Sequence, residues 1–266
     1  METIRTTLDS AREVTVDAVV ARGSEVEARD GSTLELLGIA LEIDDSRAVM
    51  GLDRPQDAVA AAFVKQLQFL TGITYRDLLA RFEPRLARLL SEAGTYDGDY
   101  GPQIAPNLPR LLQSSRGRRA SLVLTDYSGI TPSTSVLHFL TRGDEVLLCT
   151  YSRSLDVFNC LETDLSLYLH LLEVARADLG VLRSRYCHVV GSAHVYTSDL
   201  AQRTHGSCCS ADSHPPITGS LSRNQRRAAD AADALKLGRL LEGDDYYAFL
   251  VDRILRTASE RKESID

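Results

Sequence analysis

Two short segments carry side chains suited to binding a phosphorylated ligand. In the first, Arg153-Ser154-Leu155-Asp156, a planar guanidinium lies beside a hydroxyl, and both groups donate hydrogen bonds to phosphate oxygens. Ser154 and Asp156 would share one face of a β-strand. The second segment, His194-Val195-Tyr196, has the same i, i+2 spacing, so its two rings would line one wall of a pocket. The two segments predict a site for a phosphate monoester.

The apolar pattern predicts that these segments lie in a sheet flanked by helices. The spacing predicts strands over 14–20, 32–43, 120–125, 135–141, 145–151 and 186–196, and helices over 57–70, 75–93, 164–179 and 246–261, with a further helix starting at 107–113. Residues 94–101 and 204–224 are predicted to be loops, the second one flexible. We therefore predict a single α+β domain over residues 1–266, with a mixed sheet.

Composition narrows the classes of partner and compartment. The net charge of −7 argues against broad binding to nucleic acid or a membrane surface. Residues 1–10 have no apolar stretch of the secretory type, and no apolar run has membrane-spanning length. Five irregularly spaced cysteines are typical of reduced thiols in a cytoplasm. Cys208 and Cys209, with His205 and His214, match no common zinc spacing, so we predict no metal site.

Five motifs occur in an order that resembles the thymidylate synthase superfamily, which includes the pyrimidine nucleotide hydroxymethylases. They are Arg22-Gly23, Tyr100-Gly101-Pro102-Gln103, Arg118-Arg119, Arg153-Ser154-x-Asp156 and His194-x-Tyr196. The resemblance covers Arg22 to about Asp199, about two thirds of the chain. It implies a thymidylate synthase-like α+β fold, a mixed sheet flanked by helices, and a homodimer formed through that sheet.

The resemblance also implies a role for each matched residue. A nucleotide phosphate would be held by Arg22, Arg153 and Ser154, together with Arg118 and Arg119 from the dimer partner. His194 and Tyr196 would bind the sugar, and Tyr100 would belong to the catalytic residues. Asp156 would face the one-carbon carrier, 5,10-methylenetetrahydrofolate.

Asp164 stands where thymidylate synthases have an asparagine that reads uracil. An ionised aspartate only accepts hydrogen bonds, which favours the exocyclic amine of cytosine, and similar proteins that act on cytidylates carry aspartate here. A second explanation is that Asp164 caps the following helix. The resemblance therefore favours a cytidylate, with helix capping as the alternative or additional role.

Two positions depart from the pattern of the family. Ser133, in Thr131-Pro132-Ser133-Thr134, occupies the position of the cysteine that adds to C6 of the pyrimidine, and serine is a far poorer nucleophile. It indicates altered chemistry, a binding protein without chemistry, or an engineered Cys→Ser change. Lys65 occupies the position of a glutamate that moves protons around the base, so the charge there is reversed.

The expected function is that of a one-carbon transferase in nucleotide or antibiotic biosynthesis. It would transfer a hydroxymethyl group from methylenetetrahydrofolate to C5 of a cytidylate. The alternatives are a divergent homologue with a different substrate or reaction, and a non-catalytic nucleotide-binding protein. Lys65, Ser133 and the altered 159–163 segment favour these alternatives.

Overall fold

Seven strands form one mixed sheet in the computed structural model, which describes residues 2–28, 31–43, 56–82, 99–125, 132–201 and 214–263. The strands are β1 (Glu2–Thr6), β2 (Ser24–Ala28), β3 (Gly31–Ile43), β4 (Ser121–Val123), β5 (Thr134–Arg142), β6 (Glu145–Asp156) and β7 (Arg183–Tyr196). Their order is β1-β3-β7-β6-β5-β4, and β2 also pairs with β3. The β1–β3 and β6–β7 pairs are parallel, and the others are antiparallel.

Eight helices are seen in the described residues, and the sheet that they flank confirms the α+β prediction. They are α1 (Leu8–Arg22), α2 (Gln56–Thr71), α3 (Arg76–Phe82), α4 (Gly101–Ser114), α5 (Leu161–Leu179), α6 (Thr197–Leu200), α7 (Leu221–Leu237) and α8 (Tyr246–Glu263). Helix α5 lies on β6 and β7, and α2 packs on α5. Tyr168 of α5 is buried against Tyr186, with ring centroids 6.2 Å apart. None of the described helices is long and apolar enough to cross a membrane.

In three neighbouring strands, the alternation of buried and exposed residues shifts by one position at the same level of the sheet. In β6 the buried residues are even-numbered up to Ser152, but Leu155 is the buried one after Arg153. In β7 the same change occurs across Gly191. In β3, the partly buried Leu34 and Leu36 pack against the core before Gly38, whose φ is +68°, and Ile39, Leu41 and Ile43 are buried after it. Gly191 lies opposite Arg153 at the unpaired point of the register. We call this line, formed by Gly38, Gly191 and Arg153, the face switch.

Several predicted elements differ from the structure. Residues 14–20 alternate like a strand but form part of α1, because Leu8, Ala11 and Val19 recur at helical spacing and are buried together. Helix α4 begins at Gly101 rather than at 107, and α7 begins at Leu221 inside the predicted 204–224 loop. Strands β1 and β2 were not predicted. Residues 83–93, 94–98 and 204–213 of the predicted helix and loops lie outside the described residues.

Candidate functional site

Four predicted site residues from separate segments interact with the Tyr100 hydroxyl, either directly or through Asp164. This hydroxyl accepts a hydrogen bond from the backbone N–H of Thr134 (3.4 Å) and hydrogen-bonds with Ser133. Arg153 and Asp164 both lie within electrostatic range of it. Lys65, on α2, interacts in turn with the Asp164 carboxylate. We call Lys65, Tyr100, Ser133, Arg153 and Asp164 the Tyr100 cluster.

A close helix contact sets the position of Tyr100. Gly101, the first residue of α4, lies against α2 so closely that a Cβ atom on it would be 2.4 Å from the Gln68 carbonyl oxygen. Two residues further on, the Gln103 side chain donates to the Thr125 carbonyl (2.6 Å) and accepts from the Thr125 N–H (3.0 Å). The Tyr-Gly-Pro-Gln segment therefore fixes α4 both to α2 and to the chain after β4.

Ser133 is held at the start of β5 by contacts that the sequence did not reveal. Its carbonyl oxygen accepts from the Arg153 N–H (2.8 Å). The next residue, Thr134, hydrogen-bonds through its hydroxyl to Ser152 (2.9 Å), and Ser152 bonds to Nε2 of His188 (2.8 Å). All three of these polar side chains are buried. The only sequence signal for this network is the occurrence of polar residues at inward positions of predicted strands.

Asp164 is a partly buried carboxylate on the first turn of α5. The helix N-cap is Cys160, so the helix-capping explanation of Asp164 is wrong. Burial raises the pKa of Asp164 to about 6, although the positive charge of Lys65 lowers it. A carboxyl group with such a pKa exchanges a proton near neutral pH. Burial, reinforced by Asp164, also raises the pKa of Tyr100, which therefore stays a neutral phenol.

The remaining residues of the Arg-Ser-x-Asp and His-x-Tyr motifs form a row beside Arg153. The Arg153 guanidinium donates to the Ser154 hydroxyl (3.3 Å), and Asp156 is the register neighbour of His194 across β6 and β7. The rings of His194 and Tyr196 contact edge to face, with centroids 5.7 Å apart. Ser154, Asp156, His194 and Tyr196, here called the outer row, lie beyond the face switch, on the face opposite the buried Leu155.

Asp156, the residue expected to face the one-carbon carrier, forms hydrogen bonds within the turn that follows it. The Asp156 carboxylate accepts hydrogen bonds from the Asn159 backbone (3.0 Å) and side chain (2.9 Å), and the same Asn159 side chain donates to Asp199 (2.9 Å). Both carboxylate oxygens are therefore used to close the β6–α5 turn. Each carboxylate oxygen can still accept a second hydrogen bond, so contact of Asp156 with methylenetetrahydrofolate stays a prediction.

Three of the predicted phosphate ligands do not join the Tyr100 cluster in this chain. Arg22 ends α1, where it pairs with Glu2. Arg118 and Arg119 are exposed before β4. The adjacent Ala120 accepts from Phe139 (2.9 Å), which is five residues along β5 from Thr134, so the arginine pair lies about 17 Å further along the sheet.

Cys160 is close to the Tyr100 cluster but does not replace the missing thiolate. Loss of solvent around its sulfur, together with the negative charges of Asp164 and Asp156, raises the pKa of Cys160 to about 12. Lys65 offsets this only in part. Cys160 is therefore a protonated thiol at neutral pH and a weak nucleophile.

No known protein family has a profile that matches this sequence. Among the described residues, no three His, Cys, Asp or Glu side chains converge as metal ligands would. Cys208, Cys209 and His205, considered in the sequence analysis, lie outside those residues. The site must therefore be interpreted from its own geometry.

Proposed function

We propose that this protein binds a pyrimidine nucleoside monophosphate, preferably a cytidylate, and acts at C5 of the base. The observation that carries the proposal is the arrangement around Tyr100, where the cation of Arg153 and the carboxylate of Asp164 both interact electrostatically with one buried phenol. A nucleotide needs a cation at its phosphate and a hydrogen-bonding group at its base. The Tyr100 cluster offers both within one site.

The phosphate and sugar would be bound at the Arg153 end. The guanidinium of Arg153 and the hydroxyl of Ser154 are already in contact, so they form a joint donor surface for phosphate oxygens. His194 and Tyr196 of the outer row follow on the same face and would hydrogen-bond the sugar hydroxyls. Arg22, Arg118 and Arg119 would add charge only from other positions or from another copy of the chain.

The base would be read by Asp164. Its ionised carboxylate accepts from the exocyclic amine of cytosine, and its protonated form also donates to the ring N3. Because the pKa of Asp164 is about 6, both forms are available near neutral pH. The carbonyl oxygen at C4 of uracil would instead face a carboxylate above this pH, which disfavours uridylates.

The chemistry would begin at Ser133. Addition of its Oγ to C6 forms an O–C bond, moves the electron pair of the C5–C6 bond to C5, and releases the hydroxyl proton to a base. Asp164 is the group of the Tyr100 cluster whose pKa suits this role. C5 then takes up a proton from water, and the hydroxide formed removes the original C5 hydrogen as a proton. The electron pair re-forms the C5–C6 bond, and Oγ departs and recovers its proton from the base. Binding of methylenetetrahydrofolate stays a prediction, and we derive no step through it.

A second candidate function is nucleotide binding without turnover. Ser133 in place of a thiolate favours it, as does the raised pKa of Cys160, which leaves no activated thiol in the cluster. Binding would then use the same residues, and only the step at Ser133 would be absent.

Calorimetric titration with CMP, dCMP, UMP and dUMP tests the binding proposal. We expect cytidylates to bind more tightly than uridylates, and Arg153→Ala to weaken binding at least tenfold, as about 1.5–3 kcal/mol is expected for a lost charged hydrogen bond. The control is Arg183→Ala, because Arg183 is an exposed arginine at the far end of β7, paired with Asp144. Equal affinity in wild type and Arg153→Ala, or no binding of any nucleotide, would refute the proposal.

Release of tritium from C5-labelled cytidylate separates the two candidate functions. The enzyme proposal predicts exchange with water that is lost in Ser133→Ala and increased in Ser133→Cys, since a thiol is the better nucleophile. Tight binding with no exchange in wild type or in Ser133→Cys would establish the binding protein instead.

We also propose a homodimer formed through the outer face, which is the sheet surface opposite α5. Leu37 and Tyr151 on this face are 68% and 42% exposed, respectively, an apolar area that a second copy would cover. Leu37→Glu should shift the sedimentation coefficient from dimer to monomer. Leu182→Glu, at an equally exposed leucine before β7, should not. A monomeric wild-type protein would contradict the dimer.

A further inference from the structure

Two cysteines lie side by side on the outer face, away from the Tyr100 cluster. Cys149 of β6 and Cys187 of β7 are register neighbours in the parallel pair. Both are free and partly buried thiols. Their flanking residues Leu148 and Tyr186 are buried on the α5 side, so the two thiols project from the opposite face of the sheet.

The backbone geometry matches what a disulfide requires. Neighbouring strands are about 4.8 Å apart, and disulfides join residues whose Cα atoms are roughly 4.4–6.8 Å apart. The thiols of Cys149 and Cys187 already hydrogen-bond to each other. The Cα separation of this register pair therefore lies within the range that a disulfide spans.

The surrounding charges make the two thiols unequal. The hydrogen bond from Cys187, with a smaller contribution from Arg185, lowers the pKa of Cys149 to about 7 against the effect of burial. Glu42, the register neighbour of Cys187 on β3, opposes this. The same hydrogen bond and burial raise the pKa of Cys187. On the β5 side, Cys149 faces His138. Cys149 is thus the thiolate and Cys187 the proton donor.

We propose that Cys149 and Cys187 form a reversible dithiol site that exchanges with low-molecular-weight disulfides. The Cys149 thiolate attacks one sulfur of the disulfide, forms a mixed disulfide and releases the other half as a thiolate. Cys187 then loses its proton and attacks Sγ of Cys149, which releases the second half as a thiol. The two cysteines are oxidised to one cross-strand disulfide, and the small disulfide is reduced to two thiols. This proposal is independent of nucleotide binding.

Oxidised glutathione is the probe, followed by alkylation of the remaining thiols and peptide mass mapping. We expect a Cys149–Cys187 disulfide to form at least roughly tenfold faster than any adduct at Cys160, because only the thiolate reacts. Cys187→Ser should stop at a glutathione adduct on Cys149. Cys149→Ser should leave position 187 unmodified over the same time.

Reaction with oxidised glutathione is also measured in the Leu37→Glu variant, in which a second copy of the chain should no longer cover the outer face. A disulfide that forms in this variant and not in wild type would show that a second copy covers a competent pair. Two results would overturn the proposal. One is that Cys160 reacts as fast as Cys149 in the Leu37→Glu variant. The other is that the double variant Leu37→Glu/Cys187→Ser forms no adduct at Cys149.

Discussion

Replacing Asp164 with asparagine should stabilise the fold while impairing the site. The carboxyl group is partly buried on α5, and burial raises its pKa from 3.8 to about 6. Asparagine has nearly the same shape and cannot ionise, so the substitution removes the cost of holding a charge there. A residue with this property opposes the stability of the fold.

The magnitude and the sign follow from proton linkage. Between the two pKa values the folded chain binds a proton that the unfolded chain has released, so the free energy of unfolding falls as pH rises from about 4 to about 6. Above that window the full cost is about 3 kcal/mol, at about 1.36 kcal/mol per pH unit. Residual contact with water reduces it, so we expect Asp164→Asn to gain about 1–3 kcal/mol near pH 8 and less than about 1 kcal/mol near pH 4.

Urea unfolding of wild type and Asp164→Asn at these two pH values measures the difference. Asp233→Asn is the matched control, because Asp233 is an exposed helical aspartate paired with Lys236, and its change should stay below about 0.5 kcal/mol at both pH values. A gain for Asp164→Asn of equal size at both pH values would assign the effect to packing rather than charge. A loss of stability near pH 8 would refute the reasoning.

Two further substitutions test the framework that holds the site. Gly101→Ala should destabilise the fold by about 1–3 kcal/mol in thermal unfolding, since the new Cβ would lie 2.4 Å from the Gln68 carbonyl oxygen. The control Gly117→Ala should change thermal unfolding little, because its Cβ would lie 3.2 Å from the nearest atom. Ser152→Ala should cost about 1–3 kcal/mol in urea unfolding because it leaves Nε2 of the buried His188 without its hydroxyl partner; an unchanged midpoint would contradict the importance of that network.

The sequence predicted the central elements well because their patterns are strong. The β5–β6 hairpin, the long strand β3 and the helices α2 and α5 were predicted within a few residues. It misassigned α1, where β-branched residues alternate between Val14 and Val20 but the buried face has helical spacing. Tertiary burial outweighed the local preference there.

The site was only partly predictable. The motif order pointed to Tyr100 and Arg153, the Thr131-Pro132-Ser133-Thr134 turn to Ser133, and the position of the family's glutamate to Lys65. In the structure Ser133 and Arg153 interact with Tyr100, and Lys65 interacts with Asp164. The hydrogen bond between Ser152 and His188 was not predicted, because it depends on which strands are neighbours. The hydrogen bond from Asn159 to Asp156 was not predicted, because it depends on loop geometry.

The face switch has a consequence for how recognition could diversify. At one end of the face switch, Ser152 and His188 lie in the layer covered by helices, and at the other end the outer row lies on the face opposite the buried Leu155. The residues at the two ends belong to different packing environments, so substitutions at one end need not disturb the other. A chain with this arrangement can change the polar side chains at one end while it keeps those at the other.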